Sequence, residues 1–140
     1  MCSGATQANL EATMRGEAFA CARYPHYARH ARDGGRLRLS QLWENTAGQE
    51  LGEHFSEAAT LAGLVRGDAD NLRDAVDGEV YEAGTMYPAL SRQAASVGED
   101  EAADLFAEIA HDEAGHASAF LLALVDLQVG GGGDRAARQG

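Results

Sequence analysis

The sequence predicts an all-α fold: a four-helix bundle built from two duplicated helical hairpins. Three observations lead there. Proline occurs only twice in 140 residues and β-branched residues are sparse, while Ala, Leu, Glu, Arg and Gln dominate, a helix-forming composition. Breaks at Asp33-Gly34-Gly35, Arg66-Gly67-Asp68 and Val97-Gly98-Glu99 cut the chain into four segments, each with apolar residues at helical spacing. The second half of the chain then repeats the first.

The first helix, expected over 6–32, aligns Leu10, Met14, Cys21, Tyr24 and Ala28 on one face. The second, expected over 39–63 with Ser40 as a candidate N-cap, gives Leu39, Trp43, Thr46, Leu61 and Leu64. The third, 69–97, opens behind Asp68 or Asp70 and carries Leu72, Val76, Ala83, Met86, Leu90 and Val97. The fourth, 99–129, sets Glu99, Asp100 and Glu101 at its positive end and carries Phe106, Ile109, Phe120, Leu124 and Leu127. Pro25 and Pro88 each remove an intrahelical bond and are expected to kink the first and third helices. The length fits one domain, placed over 1–130, ahead of a Gly-rich tail, 131–140, expected to be disordered.

Charge narrows the function. There are 22 acids against 11 bases, every base is Arg, and the formal net charge is −11. No basic stripe exists to follow a phosphate backbone, so no nucleic-acid partner is expected, and nothing attracts an anionic membrane surface. The chain lacks an apolar run of about 18 residues, so no membrane span is expected. The opening MCSGATQANLEATMRG has no apolar signal core, which predicts a cytoplasmic location. Cys2 and Cys21 are the only cysteines, too few for a disulfide framework or a four-thiolate metal site.

The apolar stripes have gaps, and the gaps hold acids and imidazoles. Glu17 falls between Met14 and Cys21, Glu50 a turn beyond Thr46, Glu79 and Glu82 between Val76 and Met86, and Glu113 with His116 between Ile109 and Phe120. Each lies about 15–21 Å along its helix at 1.5 Å per residue, so all share the middle of the bundle. A lone carboxylate there costs several kcal/mol to desolvate unless something neutralises it. No Arg is spaced to pair with five of them, so the cations must come from outside the chain.

The duplication sharpens that conclusion. Asn9-Leu10 and Gly16-Glu17 recur as Asn71-Leu72 and Gly78-Glu79, an offset of 62 (17 to 79). Leu42-Trp43, Ala47, Glu50 and Gly52 recur as Leu105-Phe106, Ala110, Glu113 and Gly115, and Tyr24-Pro25 recurs as Tyr87-Pro88, an offset of 63 (50 to 113; 24 to 87). Two duplicated half-sites facing across a bundle make a two-metal site. A Glu from each of two helices with Glu-x-x-His from the others is the carboxylate arrangement of di-iron and di-manganese bundles. Oxygen and imidazole donors suit iron or manganese. Hence two iron ions, two manganese ions or a mixed pair are expected.

The second helix leaves its histidine register open. It reads Glu50-Leu51-Gly52-Glu53-His54, where the duplication pairs Glu53 with His116. On an ideal helix both Glu53 and His54 can face the core. A π-bulge just after Glu50 would bring His54 into the ligand position, and His54 is preferred, with Glu53 a spare ligand or a neighbour of one. The change of offset between Glu17/Glu79 and Tyr24/Tyr87 points to a second inserted residue, in the third helix.

Over about residues 8–125 the chain resembles the rubrerythrins of the ferritin-like superfamily, in the stretches NLEATMRGEAFACARY, GEVYEAGTMYP and LFAEIAHDEAGH. The resemblance is to the single-domain, symerythrin-like members more than to the full-length peroxidases. The resemblance implies a ferritin-like bundle with metal ligands at Glu17, Glu50, Glu79, Glu82, Glu113 and His116, and tyrosines Tyr24 and Tyr87 beside them. It implies reduction of hydrogen peroxide or dioxygen at a non-haem di-iron centre, with Glu82 moving on and off the metal. Such proteins often continue into a rubredoxin domain; this chain shows no paired CxxC, so a separate electron donor such as rubredoxin or a reductase is expected. The rival readings are a di-iron oxygenase or oxidase acting on a small organic substrate, and an iron-binding or storage protein.

The link between the second and third helices, 64–70, reaches at most about 25 Å when extended. A crossover along helices this long needs roughly 35–40 Å. Hairpins exchanged between two chains avoid that crossover, and swapping is also what the resemblance implies, so a homodimer is expected.

Overall fold

The computed structural model describes residues 3–136, with side chains to residue 129. Among these residues there are four helices and no strand. The first, α1 (Gly4–Asp33), is capped by Ser3, whose Oγ accepts the Thr6 N–H at 3.3 Å. Pro25 sits inside it. The turn that follows uses Gly35 at φ 72, a conformation that only glycine adopts without strain.

Because that turn is so tight, the second helix, α2 (37–62), begins earlier than the sequence suggests. Ser40 is therefore not its cap: it lies in the first turn, 2 % exposed, with its N–H on the Arg36 carbonyl at 3.0 Å. Helix α2 is α-helical over Leu37–Gln49, π-helical over Glu50–Phe55 and α-helical again over Ser56–Ala62. It stops at Gly63, in the left-handed conformation (φ 66).

The third helix, α3 (68–96), has the same composite build: Asp68–Tyr81, a π-helical turn over Glu82–Met86, then Tyr87–Ser96. Gly67 is its cap residue, and Asp68 and Asp70 lie in the first turn instead of capping, where their charge still meets the positive helix end. Asn71 closes the preceding turn, accepting from the Arg66 N–H and donating to the Arg66 carbonyl, both at 2.9 Å. Pro88 is at the start of the last α-segment, where a missing N–H is tolerated. Helix α4 (Asp100–Ala136) begins with Asp100 and Glu101 in its first turn. It runs on through Gly130–Gly133, where the sequence reading starts a disordered tail. Extending a formed helix adds one hydrogen bond per residue without a new nucleus, which offsets glycine's poor propensity. Residues 137–140 of that tail lie outside the described residues.

Where length suggests one domain, the contacts divide the chain into two compact units after Val65. Each is an antiparallel hairpin: α1 with α2, and α3 with α4. Small residues let the paired helices close. In the first hairpin Met14, Ala58 and Ala59 are buried together, with Leu10, Phe55 and Ala62 against them. In the second, Ala94 and Ala103 are buried, and the Ser91 hydroxyl donates to the Ala103 carbonyl at 2.8 Å. A two-helix hairpin covers only one side of each stripe. Leu39, Leu61, Leu64, Val97 and Leu127, all expected in the core, stay exposed. No helix among the described residues is long and apolar enough to cross a membrane.

Candidate metal centre

In the first hairpin three side chains converge. Glu17, half-buried on α1, faces Glu50, which opens the π-helical turn of α2, and His54 from the same turn. The His54 Nδ1 is 2.7 Å from the Glu50 Oε2 and 3.9 Å from the Glu17 Oε2. One donor atom from each of the three falls within 4.8 Å of the others. The second hairpin repeats the arrangement with Glu79 from α3 and Glu113 and His116 from α4. There the His116 Nδ1 is 2.7 Å from the Glu113 Oε2 and 3.7 Å from the Glu79 Oε2.

The two clusters match although their sequences do not. His116 follows Glu113 by three residues, and His54 follows Glu50 by four, yet both make the same contact. The π-helical turn of α2 absorbs the extra residue by widening one turn, so that a fourth residue reaches where a third stands in an α-helix. The mirror case is α3, whose π-helical turn lies between Glu79 and Tyr87, where the repeat offset grows from 62 to 63 (17 to 79; 24 to 87).

Not every candidate joins a cluster. Glu53 is exposed and accepts from the Gln49 side chain at 3.2 Å. Glu82, half-buried, begins the α3 π-turn one helical turn past Glu79 and lies outside the Glu79–Glu113–His116 group. It is near enough for its charge to help raise the Glu79 pKa. Tyr24 packs on Trp43 with ring centroids 5.1 Å apart, and Tyr87 stacks on Phe106 at 6.4 Å. The Cys21 thiol is free, half-buried, and donates to the Ala18 carbonyl at 3.2 Å. His26, His30, Glu57 and His111 are exposed.

Two carboxylates held together without a cation distort each other's protonation. The hydrogen bond shared with Glu50 raises Glu17 above its ordinary 4.5, aided by desolvation, and Glu113 does the same to Glu79. Glu50 and Glu113 are lowered, first by those same bonds and then by their histidines. His54 and His116 are raised above 6.5, chiefly by the hydrogen bonds to Glu50 and Glu113. Two buried oxygens, the Ser40 Oγ and the Glu79 Oε2, have no hydrogen-bond partner among the described residues, and of these the Glu79 Oε2 belongs to a cluster. The arginines that form ion pairs, Arg32 with Glu44, Arg66 with Asp74 and Arg73 with Asp70, are engaged away from both clusters. A buried acceptor left unmet is costly, and a divalent cation is the partner this oxygen-and-imidazole set fits.

Sequence reasoning missed the aromatic group at one end of the first hairpin, where Tyr27 joins Tyr24 and Trp43. Tyr27 lies off the apolar stripe, and its spacing from Tyr24 was the available signal. The helix glycines also read differently in place. A Cβ added at Gly16, Gly52, Gly78 or Gly115 would meet nothing within 4 Å, so close helix approach within a hairpin is not their reason.

Comparison with known proteins gives the family. Residues 8–124 match the Rubrerythrin family. The chain is 34% identical to nigerythrin of Nitratidesulfovibrio vulgaris over 137 residues, covering 89% of this chain and 68% of that protein. It is 33% identical to rubrerythrin of Porphyromonas gingivalis over 138 residues, with the same coverage of 89% and 68%. A solved structure of nigerythrin in its fully reduced, all-ferrous state aligns over 91% of this chain and 70% of that one, at 30% identity and a TM-score of 0.45. The chain belongs to the rubrerythrin family of di-iron proteins, all-α and ferritin-like in fold class.

Proposed function

We propose that the protein reduces hydrogen peroxide or dioxygen at a pair of iron ions, taking electrons from a separate donor such as rubredoxin or a reductase. The observation that carries this reading is the matched pair of Glu-Glu-His clusters, one of them with an orphaned buried oxygen. Glu17, Glu50 and His54 in one hairpin and Glu79, Glu113 and His116 in the other would hold the ions. Glu82, one turn from Glu79 and outside its cluster, would be a further carboxylate available to them, and the exposed Glu53 a spare one. Bound iron supplies Lewis acidity and electrons.

The protein's own part is to hold and move protons. Glu17 and Glu79, whose affinity for a proton is raised, are suited to give one up as a cation enters and to receive one when a product oxygen needs it. Tyr24 and Tyr87 place phenols two helical turns from Glu17 and Glu79, where they orient the reacting oxygen or donate to it. A cytoplasmic location goes with this reading, because ferrous iron and the free Cys21 thiol both need reducing surroundings.

A homodimer with exchanged hairpins completes the proposal. The exposed leucines of each hairpin and the short 64–67 link support pairing of half-sites between two copies of the chain. An anaerobic titration tests the function. The di-ferrous protein should consume one peroxide per two electrons and bind two irons per site. Turnover that releases an oxidised organic product would favour an oxygenase; iron loading far beyond two per site would favour storage. Loading with manganese alone, in metal analysis of the isolated protein, would overturn iron.

A further inference from the structure

We infer that Tyr24, Trp43 and Tyr27 form a relay that carries oxidising equivalents away from the candidate metal centre of the first hairpin to the protein surface. This rests on the reading of Glu17 and Glu50 as ligands. Tyr24 is seven residues beyond Glu17 on α1, and Trp43 seven before Glu50 on α2, so both rings lie on the ligand-bearing faces about 10 Å along the helices. The three rings touch in a triangle, with centroid distances of 5.1 Å for Tyr24–Trp43, 5.2 Å for Trp43–Tyr27 and 6.1 Å for Tyr24–Tyr27. Tyr24 and Trp43 are half-buried, whereas Tyr27 is 45% exposed. The group therefore runs from the ligand side to water.

The duplication supplies an internal control. At the matching places of the second hairpin stand Tyr87, Phe106 and Leu90. Packing alone is satisfied there by a Phe and a Leu, neither of which gives up an electron readily. Only the first hairpin has an oxidisable residue at all three places. Arg23 adds direction. Its guanidinium lies 5.2 Å over the Tyr24 ring, and a positive charge there disfavours leaving a hole on Tyr24. The hole is better placed on Trp43 or Tyr27.

The chemistry balances with peroxide as the oxidant. Each equivalent is one electron drawn from Tyr27 through Trp43 and Tyr24, while the Tyr27 phenolic proton passes to water. Two such electrons and two protons reduce one hydrogen peroxide to two waters. A thiol or another soluble one-electron reductant can refill Tyr27 at the surface. The relay would spare Glu and His ligands when peroxide arrives and the electron donor is exhausted.

Pulse radiolysis with azide radical reads the relay without metal. Trp43 is the sole tryptophan of the chain and takes the first oxidation. The indolyl signal should decay at a rate independent of protein concentration while a phenoxyl signal grows. In Tyr24→Phe/Tyr27→Phe the indolyl radical should persist, with circular dichroism confirming that the helices remain. Decay that scales with protein concentration, or that is unchanged in the double variant, overturns the relay. In the iron-loaded protein, freeze-quenched samples with excess peroxide should show a phenoxyl radical that gives way to an indolyl radical in Tyr27→Phe and forms more slowly in Trp43→Phe, while both variants consume peroxide at the wild-type rate. Peroxide consumption without any phenoxyl radical sinks the relay alone. A di-ferrous protein that consumes no peroxide instead sinks the proposed function, whatever radiolysis shows.

Discussion

The His54 Nδ1 stands 2.7 Å from the Glu50 Oε2 across a π-helical turn. One residue too many separates them for an α-helix to reproduce the Glu113–His116 contact, and the wider turn restores it. Shortening the segment should therefore be tolerated where removing the side chain is not. Deleting Gly52 should convert the turn to α-helix, keep the Glu–His contact and retain metal. His54→Ala should weaken metal binding by more than the roughly 10–100-fold that follows loss of a ligand's outer hydrogen-bond partner. Isothermal metal titration of both variants checks this.

Metal should stabilise the fold. Stripping it leaves Glu17 against Glu50 and Glu79 against Glu113, with the Glu79 Oε2 unmet. Metal held only by the folded state at 100 times its dissociation constant adds about 2.7 kcal/mol. At roughly 2–4 °C per kcal/mol for a chain of this size, the melting temperature should fall by several degrees on chelation. An unchanged melting curve after chelation would remove the metal site.

The metal-free protein should also lose stability as pH rises. Glu17 and Glu79 have raised values when folded, so their contribution is present below 4.5 and fades as pH climbs through the raised values. His54 and His116 behave alike, their contribution fading as pH passes above 6.5. Glu50 and Glu113 act in the opposite sense, but only below 4.5. Thermal melts between about pH 5 and pH 8 should show the decline, and Glu17→Gln/Glu79→Gln should flatten its lower part.

The proposed hairpin exchange makes a prediction about mixtures. Glu50→Ala and Glu113→Ala chains should each be inactive as homodimers. Unfolded, mixed and refolded together, they should regain up to half of the wild-type activity per heterodimer, because one of its two sites receives an intact half from each chain. Chains that built each site from their own two halves would show no recovery.

Much of this was legible because the chain was duplicated. Copies in register locate each other's acids, and a one-residue change in offset marks where a helix has been widened, which is how both π-helical turns announce themselves. Helix types and lengths follow from spacing and from the Gly-containing breaks. What spacing could not give was burial. Leu61 and Leu64 look like core by period, but period reports a face and not what covers it. The Ser40 cap failed for a similar reason: Gly35, at positive φ, lets the chain turn and start α2 two residues sooner. Tyr27 escaped notice because it lies off the apolar stripe of α1 and its contact with Trp43 comes from another helix.

Within each hairpin, the helices that pack together are neighbours in sequence, joined by three residues. Contacts so local form quickly, on the order of microseconds to milliseconds for helical folds. During synthesis the first hairpin, complete by Val65, can therefore form while the second is still being made. Its exposed leucines then stand uncovered on the nascent chain. Under the proposed hairpin exchange, finding a partner would be the slow, concentration-dependent event, and dilution would lower the yield of assembled protein.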